Sequence, residues 1–265
     1  MPRGLKVNKG TLGGIGIATT GIAAGLYLDG GHVGQMLQPT AALIVLGGTL
    51  GAVMVQFPFA VVMQAARQLK QIFVHAPDPT SNLIDALMSY AVKARRNGLV
   101  SLDPELDSVN DPFMRKALTL AVDGVHAPQL RQTMELEMTR QADNEGQIPK
   151  VFEAAGGFAP TIGILGAVIG LIQVMQRLDN IDAVGKGIAV AFVATIYGVG
   201  SANILFLPCA GRIKMLMGRK QVLREMILDG VIAIVERTNP RVIEANLAVY
   251  LNRTPAAPAK KLVAM

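Results

Sequence analysis

The sequence predicts an all-α membrane protein: four transmembrane helices, a helical cytoplasmic domain between the second and third spans, and a cytoplasmic C-terminal helix. Three observations carry that prediction. The 265 residues are 51% hydrophobic, with a mean hydropathy of +0.40, above the range of ordinary soluble domains. Four stretches near 11–28, 36–57, 155–176 and 187–208 hold no Asp, Glu, Lys or Arg, and each approaches or exceeds the roughly 20 residues that a helix needs to cross a bilayer. The basic residues are one-sided: three precede the first stretch, ten lie in 61–153 and ten follow Cys209, leaving only Arg177 and Lys186 elsewhere. By the positive-inside rule both termini and the middle segment face the cytoplasm.

Residues 1–58 hold the first two spans. Arg3, Lys6 and Lys9 form a basic leader, as in a signal peptide. The apolar run after it is long and lacks a small-residue cleavage site, so it reads as a span. Gly21 with Gly25, and Gly47 with Gly51, make GxxxG steps of the kind that let membrane helices approach closely. The link at 29–32 is too short to fold, so almost nothing is exposed outside.

Residues 59–153 turn polar and helical. An amphipathic helix at 62–74 leaves the membrane. Thr80 caps a helix carrying Leu83, Ile84, Leu87, Met88 and Ala91, with Gly98 past its end. Asp111-Pro112 starts another, which stops at Gly124, and Pro128 opens a third running to about Gln147. The segment counts 10 basic and 12 acidic residues, a mixed surface rather than a polybasic one. At roughly 90 residues it holds only a modest core.

Residues 154–211 form a hairpin. Its polar content is sparse: Thr161, Thr195, Tyr197, and two prolines toward the same face, Pro160 opening the first helix and Pro208 closing the second. A proline frees a backbone carbonyl, which membranes tolerate only where protein or water satisfies it, so the pair reads as a moving or conducting element. Residues 212–251 continue as a basic amphipathic helix and a short helix restarted at Asn239-Pro240. Residues 252–265 have the Pro/Ala/Lys composition of a disordered tail.

Several function classes drop out. No nucleophile–base pair, phosphate-binding loop or H-E-x-x-H motif is present, so enzyme chemistry is not expected. Cys209 stands alone and His32, His75 and His126 are scattered, which offers no metal site and no cofactor. The net charge of +6 reflects membrane orientation, and no motif supports nucleic-acid binding. No carboxylate lies inside any span, although ion and proton relays normally need one. If the chain conducts, a partner brings the acid, and the Thr195 hydroxyl is the main polar group offered at mid-depth. The bland alternative for Thr195 is a hydroxyl bonded to its own helix.

The order of spans, with APTIGILGAVIGLIQVM and VAFVATIYGVGSANILFLP in the hairpin, resembles the MotA family of flagellar stator proteins. KARRNGLVSLD at 93–103, FMRKALTLAVDG at 113–124 and REMILDGVIAIVE at 224–236 add to the likeness, which spans about 10–251. Proton-driven units of the ExbB/TolQ kind share the last hairpin, but they resemble a three-span layout that the four spans here argue against.

The resemblance implies a subunit of the bacterial cytoplasmic (inner) membrane that turns ion flow into torque. It implies a homo-oligomer, a pentamer, around a MotB-like single-span partner anchored to peptidoglycan, whose membrane Asp faces Thr195 and Ala167. Pro160 and Pro208 match the family's prolines that couple ion passage to movement of the cytoplasmic domain. Arg95, with Arg96 beside it, matches the arginine that faces the rotor switch ring. Asp103 stands where the family has Glu, with Glu105 close by, so the acidic contact is shorter-armed. The ion expected is the proton rather than sodium. Sodium needs several oxygen ligands at a constriction, and Ala167 stands where sodium-using relatives have Thr.

Overall fold

The structure, a computed structural model, describes residues 6–7, 9–75 and 78–251. It is helical apart from a two-residue antiparallel pair, Lys6–Val7 against Val74–His75. The leader arginine Arg3 and the tail at 252–265 lie outside the described residues. Two compact units divide the chain, one of residues 1–76 with 146–214 and one of 77–145 with 215–265.

The first unit contains the spans. Helices Lys9–Leu28 and Pro39–Gln56 are joined through a 3-10 turn at Val33–Met36. Pro39 occupies the first helical turn, where its missing N–H costs nothing. The second helix stops at Phe57, which is extended at φ −122°, ψ 144°, because Pro58 disfavours helical geometry in the residue before it. Helix Phe59–Ile72 then leaves with Ala65 and Ile72 buried.

The hairpin departs from expectation in one respect. Pro160 does not open its helix, nor does Pro208 close one. A single helix runs Ala127–Met175 through Pro149 and Pro160, and Pro208 lies within a helical stretch Ile181–Val235. The φ that proline imposes is itself helical, and the loss is one hydrogen bond plus a clash with the carbonyl four residues back. At Pro208 that clash falls beside a π-helical turn, Ser201–Phe206, which changes the local hydrogen-bond register. Asn180 caps the second helix, accepting from Ala183 N at 3.1 Å.

In the second unit, helices Thr80–Asn97, Pro112–Val122 and Pro240–Leu251 pack with residues 127–145 and 215–235. Leu87, Leu118, Leu130, Met134, Met226, Ile227, Val231, Ile243 and Leu247 form its core. The region read from sequence as a separate tail supplies about half of these side chains, because its apolar face is needed to close the core. A 3-10 run, Leu99–Ser108, follows Gly98.

Asp111 caps its helix as expected, accepting from Met114 N at 2.8 Å. Thr80, expected as a cap, lies inside its helix. Pro79 occupies the cap position with no side-chain bond, and Asp78 before it accepts from Thr80 N at 3.0 Å and from the Thr80 hydroxyl. Those bonds hold the Asp78 carboxyl below its ordinary value. The stabilisation is therefore present above the unfolded value near pH 4 and is lost as pH falls through the lower folded one. The helix Leu207–Val235 is followed by a turn at Arg237, which has φ 56°. Thr238 N bonds Ala233 O at 3.0 Å and Arg237 N bonds Ile234 O at 3.1 Å, the pattern of a left-handed C-terminal cap.

Candidate functional site

The hairpin is held by backbone contact along one seam. A Cβ built on Gly163 would lie 2.9 Å from Ala194 O, and one on Gly170 would lie 2.9 Å from both Gly187 O and Ala191 N. On the facing helix, a Cβ on Gly198 would lie 2.5 Å from Ala159 O. Ala159, Gly163, Gly166 and Gly170 thus face Gly187, Ala191, Ala194 and Gly198. No larger side chain fits between, and the close approach maximises dispersion where water supplies no driving force.

Thr195 and Ala167 flank this seam. At roughly 100° per residue, each lies about 70° round from the glycine–alanine stripe of its own helix, in the direction of increasing residue number. The helices are antiparallel, so equal rotations bring both residues to the same side of the hairpin. Val190, Val193 and Tyr197 turn to the opposite side. There Val193 and Ala194 pack on Ala41 and Val45 of the second span, with Val190 and Tyr197 against them, and Gly48 approaches Ile162. Tyr197 Oη donates to Met36 O and accepts from Gln38 N at 3.4 Å. The second span therefore covers one side of the hairpin. On the side of Thr195 and Ala167, the apolar Ile164, Leu171, Ile188, Phe192 and Val199 are exposed.

Thr195 is half-buried, and its hydroxyl donates to Ala191 O at 3.3 Å, the bland arrangement foreseen for it. That bond is long and uses the proton alone, so the oxygen lone pairs take no part in it. Ala167 is half-buried and offers a methyl.

Toward the charged ends of the helices, Gly156 lies against Leu207 and Phe206, and Pro160 lies against Gly198, just before the π-helical turn. Ser201 and Asn203 in that turn donate to Gly198 O and Val199 O. Lys214 pairs with Glu153 beyond it.

In the other unit, Arg95, Arg96 and Asp103 are exposed, and none makes an ion pair among the described residues. Glu105 differs from its companions because it pairs with Lys93, which ties the 3-10 run to the preceding helix. Among the described residues no group of three or more His, Cys, Asp and Glu could hold a metal ion.

The profile of the MotA/TolQ/ExbB proton channel family matches residues 105–226, and that of the motility protein A N-terminal region matches 12–98. Motility protein A of Bacillus subtilis (strain 168) is 35% identical over 246 residues, covering 92% of this chain and 91% of its own length. The chain belongs to the MotA family of flagellar stator proteins. Chemotaxis protein PomA of Vibrio alginolyticus is 32% identical over 223 residues, covering 84% of this chain and 87% of its own. The flagellar MotAB stator complex from Bacillus subtilis superposes with a TM-score of 0.84 at 35% identity, over 92% of this chain and 96% of that one. A C. jejuni MotAB structure gives 0.87 at 28%, over 94% and 97%.

The seam in this MotA-family chain was not anticipated from sequence, which pointed to Gly21, Gly25, Gly47 and Gly51 instead. A Cβ on any of those four would meet nothing within 4 Å in this chain. The signal that could have found the seam is the recurrence of small residues at helical spacing on both hairpin helices, at 159, 163, 166 and 170 and at 187, 191, 194 and 198.

Proposed function

We infer that this chain is an ion-conducting stator subunit of the bacterial flagellar motor. The observation that carries the reading is the charge-free hairpin, with Thr195 and Ala167 on one uncovered side, in a chain that matches MotA relatives over nearly its whole length. A path with no acid of its own needs one from elsewhere, and a MotB-like single-span protein with a membrane Asp, anchored to peptidoglycan, supplies it. The solved relatives are MotAB complexes, which supports that pairing.

The partner's carboxylate takes a proton from the outer side, loses its charge and is released from its polar contacts. Loss of the proton to the cytoplasm restores them. One charge crossing 100 mV yields about 2.3 kcal/mol, enough for a small step of a bistable element. The same-side placement of Thr195 and Ala167 supports a role for both beside that carboxylate, and the shortage of oxygen ligands supports the proton over sodium. We read the assembly as a homopentamer turning about the partner, with both termini in the cytoplasm and Arg95, Arg96 and Asp103 toward the rotor switch ring.

The deciding experiment deletes the gene for this chain, and adding the gene back should restore whatever the deletion removes. Loss of swimming with flagella still assembled, and with normal uptake of iron carriers, is the expected result. Loss of uptake with intact swimming would point to the ExbB/TolQ kind of output instead, which the four-span layout disfavours.

A further inference from the structure

A cleft of about 580 Å³ opens in the first unit where the second span ends. Gln56, Phe57 and Pro58 form one wall. The other is one face of the long helix: Gln147, Lys150, Ala154, Gly157 and Phe158, with Glu153 at its edge. The stator mechanism uses none of these side chains.

The cleft has two kinds of lining. Phe57, Phe158, Ala154 and Gly157 are apolar and adjoin the charge-free spans. Lys150, Gln56 and Gln147 lie at the rim, exposed. The Glu153 charge is matched by Lys214. Lys150 makes no ion pair, and the two amides make no side-chain hydrogen bond, among the described residues. One uncompensated cation and two amide donors therefore stand at the depth where uncharged sequence gives way to charge. That arrangement is complementary to one phosphate with hydrocarbon attached.

We propose that this cleft holds the headgroup of an anionic phospholipid of the cytoplasmic leaflet. The phosphate takes Lys150 and the Gln56 and Gln147 amides, and the first carbons of an acyl chain lie along Phe57 and Phe158. Basic pockets between transmembrane helices on the cytoplasmic side bind anionic headgroups in this way. The proposal rests on the cytoplasmic placement of this face but not on torque generation.

Gly157 supplies a clean test, because a Cβ there would meet nothing within 4 Å, so the side chain of Gly157→Leu starts into open space of the cleft. The full-length chain, reconstituted in nanodiscs of equal phosphatidylglycerol and phosphatidylcholine, is released and weighed by native mass spectrometry. The wild type should retain phosphatidylglycerol preferentially. Lys150→Gln should lower that retention about five-fold, the loss of one cation beside an anionic surface, and Gly157→Leu should lower it at least as much.

Equal retention of the two lipids by the wild type would overturn the proposal, and that measurement needs no variant to fold. So would undiminished retention in both variants, or displacement of the lipid by equimolar inorganic phosphate, which would make the occupant a free anion. Swimming is scored in the same strains. Lost lipid with normal swimming supports the lipid site and leaves the stator reading intact, whereas undiminished lipid retention in both variants overturns the lipid site whatever the swimming, and leaves the stator reading intact.

Discussion

Gly198 and Pro160 meet backbone to backbone: a methyl built on Gly198 would lie 3.2 Å from Pro160 Cα and 2.5 Å from the neighbouring Ala159 O. The seam is thus tightest beside a proline whose helix lacks a hydrogen bond. Gly198→Ala should force the helices apart there and destabilise the assembly by about 1–3 kcal/mol, the usual cost of overpacking. Gly185→Ala, where a Cβ meets nothing within 4 Å, should be neutral. Thermal unfolding of both purified variants checks the contrast, and equal melting points would contradict the packing account.

The prolines call for a different outcome. Pro208→Leu restores an N–H and removes the clash with the carbonyl four residues back, so the π-helical turn at Ser201–Phe206 should relax toward regular helix. Membrane content should stay normal while torque on a tethered cell falls. The same is expected of Pro160→Leu. A Pro208→Leu protein that never reaches the membrane would show a folding defect and remove support for a coupling role.

The proton is proposed here on the strength of Ala167 and Thr195. Motor speed should follow the proton-motive force, be indifferent to external sodium and collapse with a proton uncoupler. Thr195→Val keeps the shape and deletes the hydroxyl, and it should slow rotation at high proton-motive force more than it lowers subunit content. Rotation that scales with sodium and survives the uncoupler would show the argument from Ala167 to be wrong.

Surface charge in the second unit separates into two roles. Arg95→Glu should reduce swimming without abolishing it, because such charges are screened over about 8 Å at physiological salt, and a compensating reversal on the rotor should restore part. Full swimming of the Arg95→Glu/Asp103→Lys double mutant against an unaltered rotor would sink the contact. Glu105→Gln should act otherwise, loosening the 3-10 run that Lys93 holds. Its signature is faster hydrogen exchange in 99–108 rather than rescue by a rotor charge.

Arg237 sits at φ 56°, where a side chain costs about 1 kcal/mol or more and glycine costs little. Arg237→Gly should therefore raise stability by about 1 kcal/mol in urea denaturation of the full chain. A decrease would mean that the arginine makes contacts outweighing its strain.

Much of the membrane layout could be read from residues alone, because charge is so costly in a bilayer that its absence over 154–176 and 187–211 is nearly a drawing of the spans. Caps were legible where the chemistry is local, as at Asp111. Thr80 misled because its hydroxyl donates to Asp78, two residues earlier, whose carboxylate also takes the Thr80 amide. Proline misled more deeply. Pro160 and Pro208 look like helix ends, but the packing of Gly163, Gly170, Gly187 and Gly198 outweighs a single lost hydrogen bond. Which glycines would face another helix was not legible, since GxxxG spacing is common and only the fold decides which stripes meet. Thr195 stood out from the residues as the polar group at mid-depth and Ala167 was placed by likeness, while their common side of the seam emerges only from the antiparallel packing of the two helices.

The spans of this chain carry no acid, and that has a bearing on how a cell makes it. A protein that held both the hydroxyl and the carboxylate of a proton route would leak from the moment it was inserted. On the reading proposed above, the route is divided between two polypeptides, so a surplus of this one leaves the membrane sealed. The cell can hold a reserve of it at no cost to its energy supply, and current begins only where a second protein delivers the missing group.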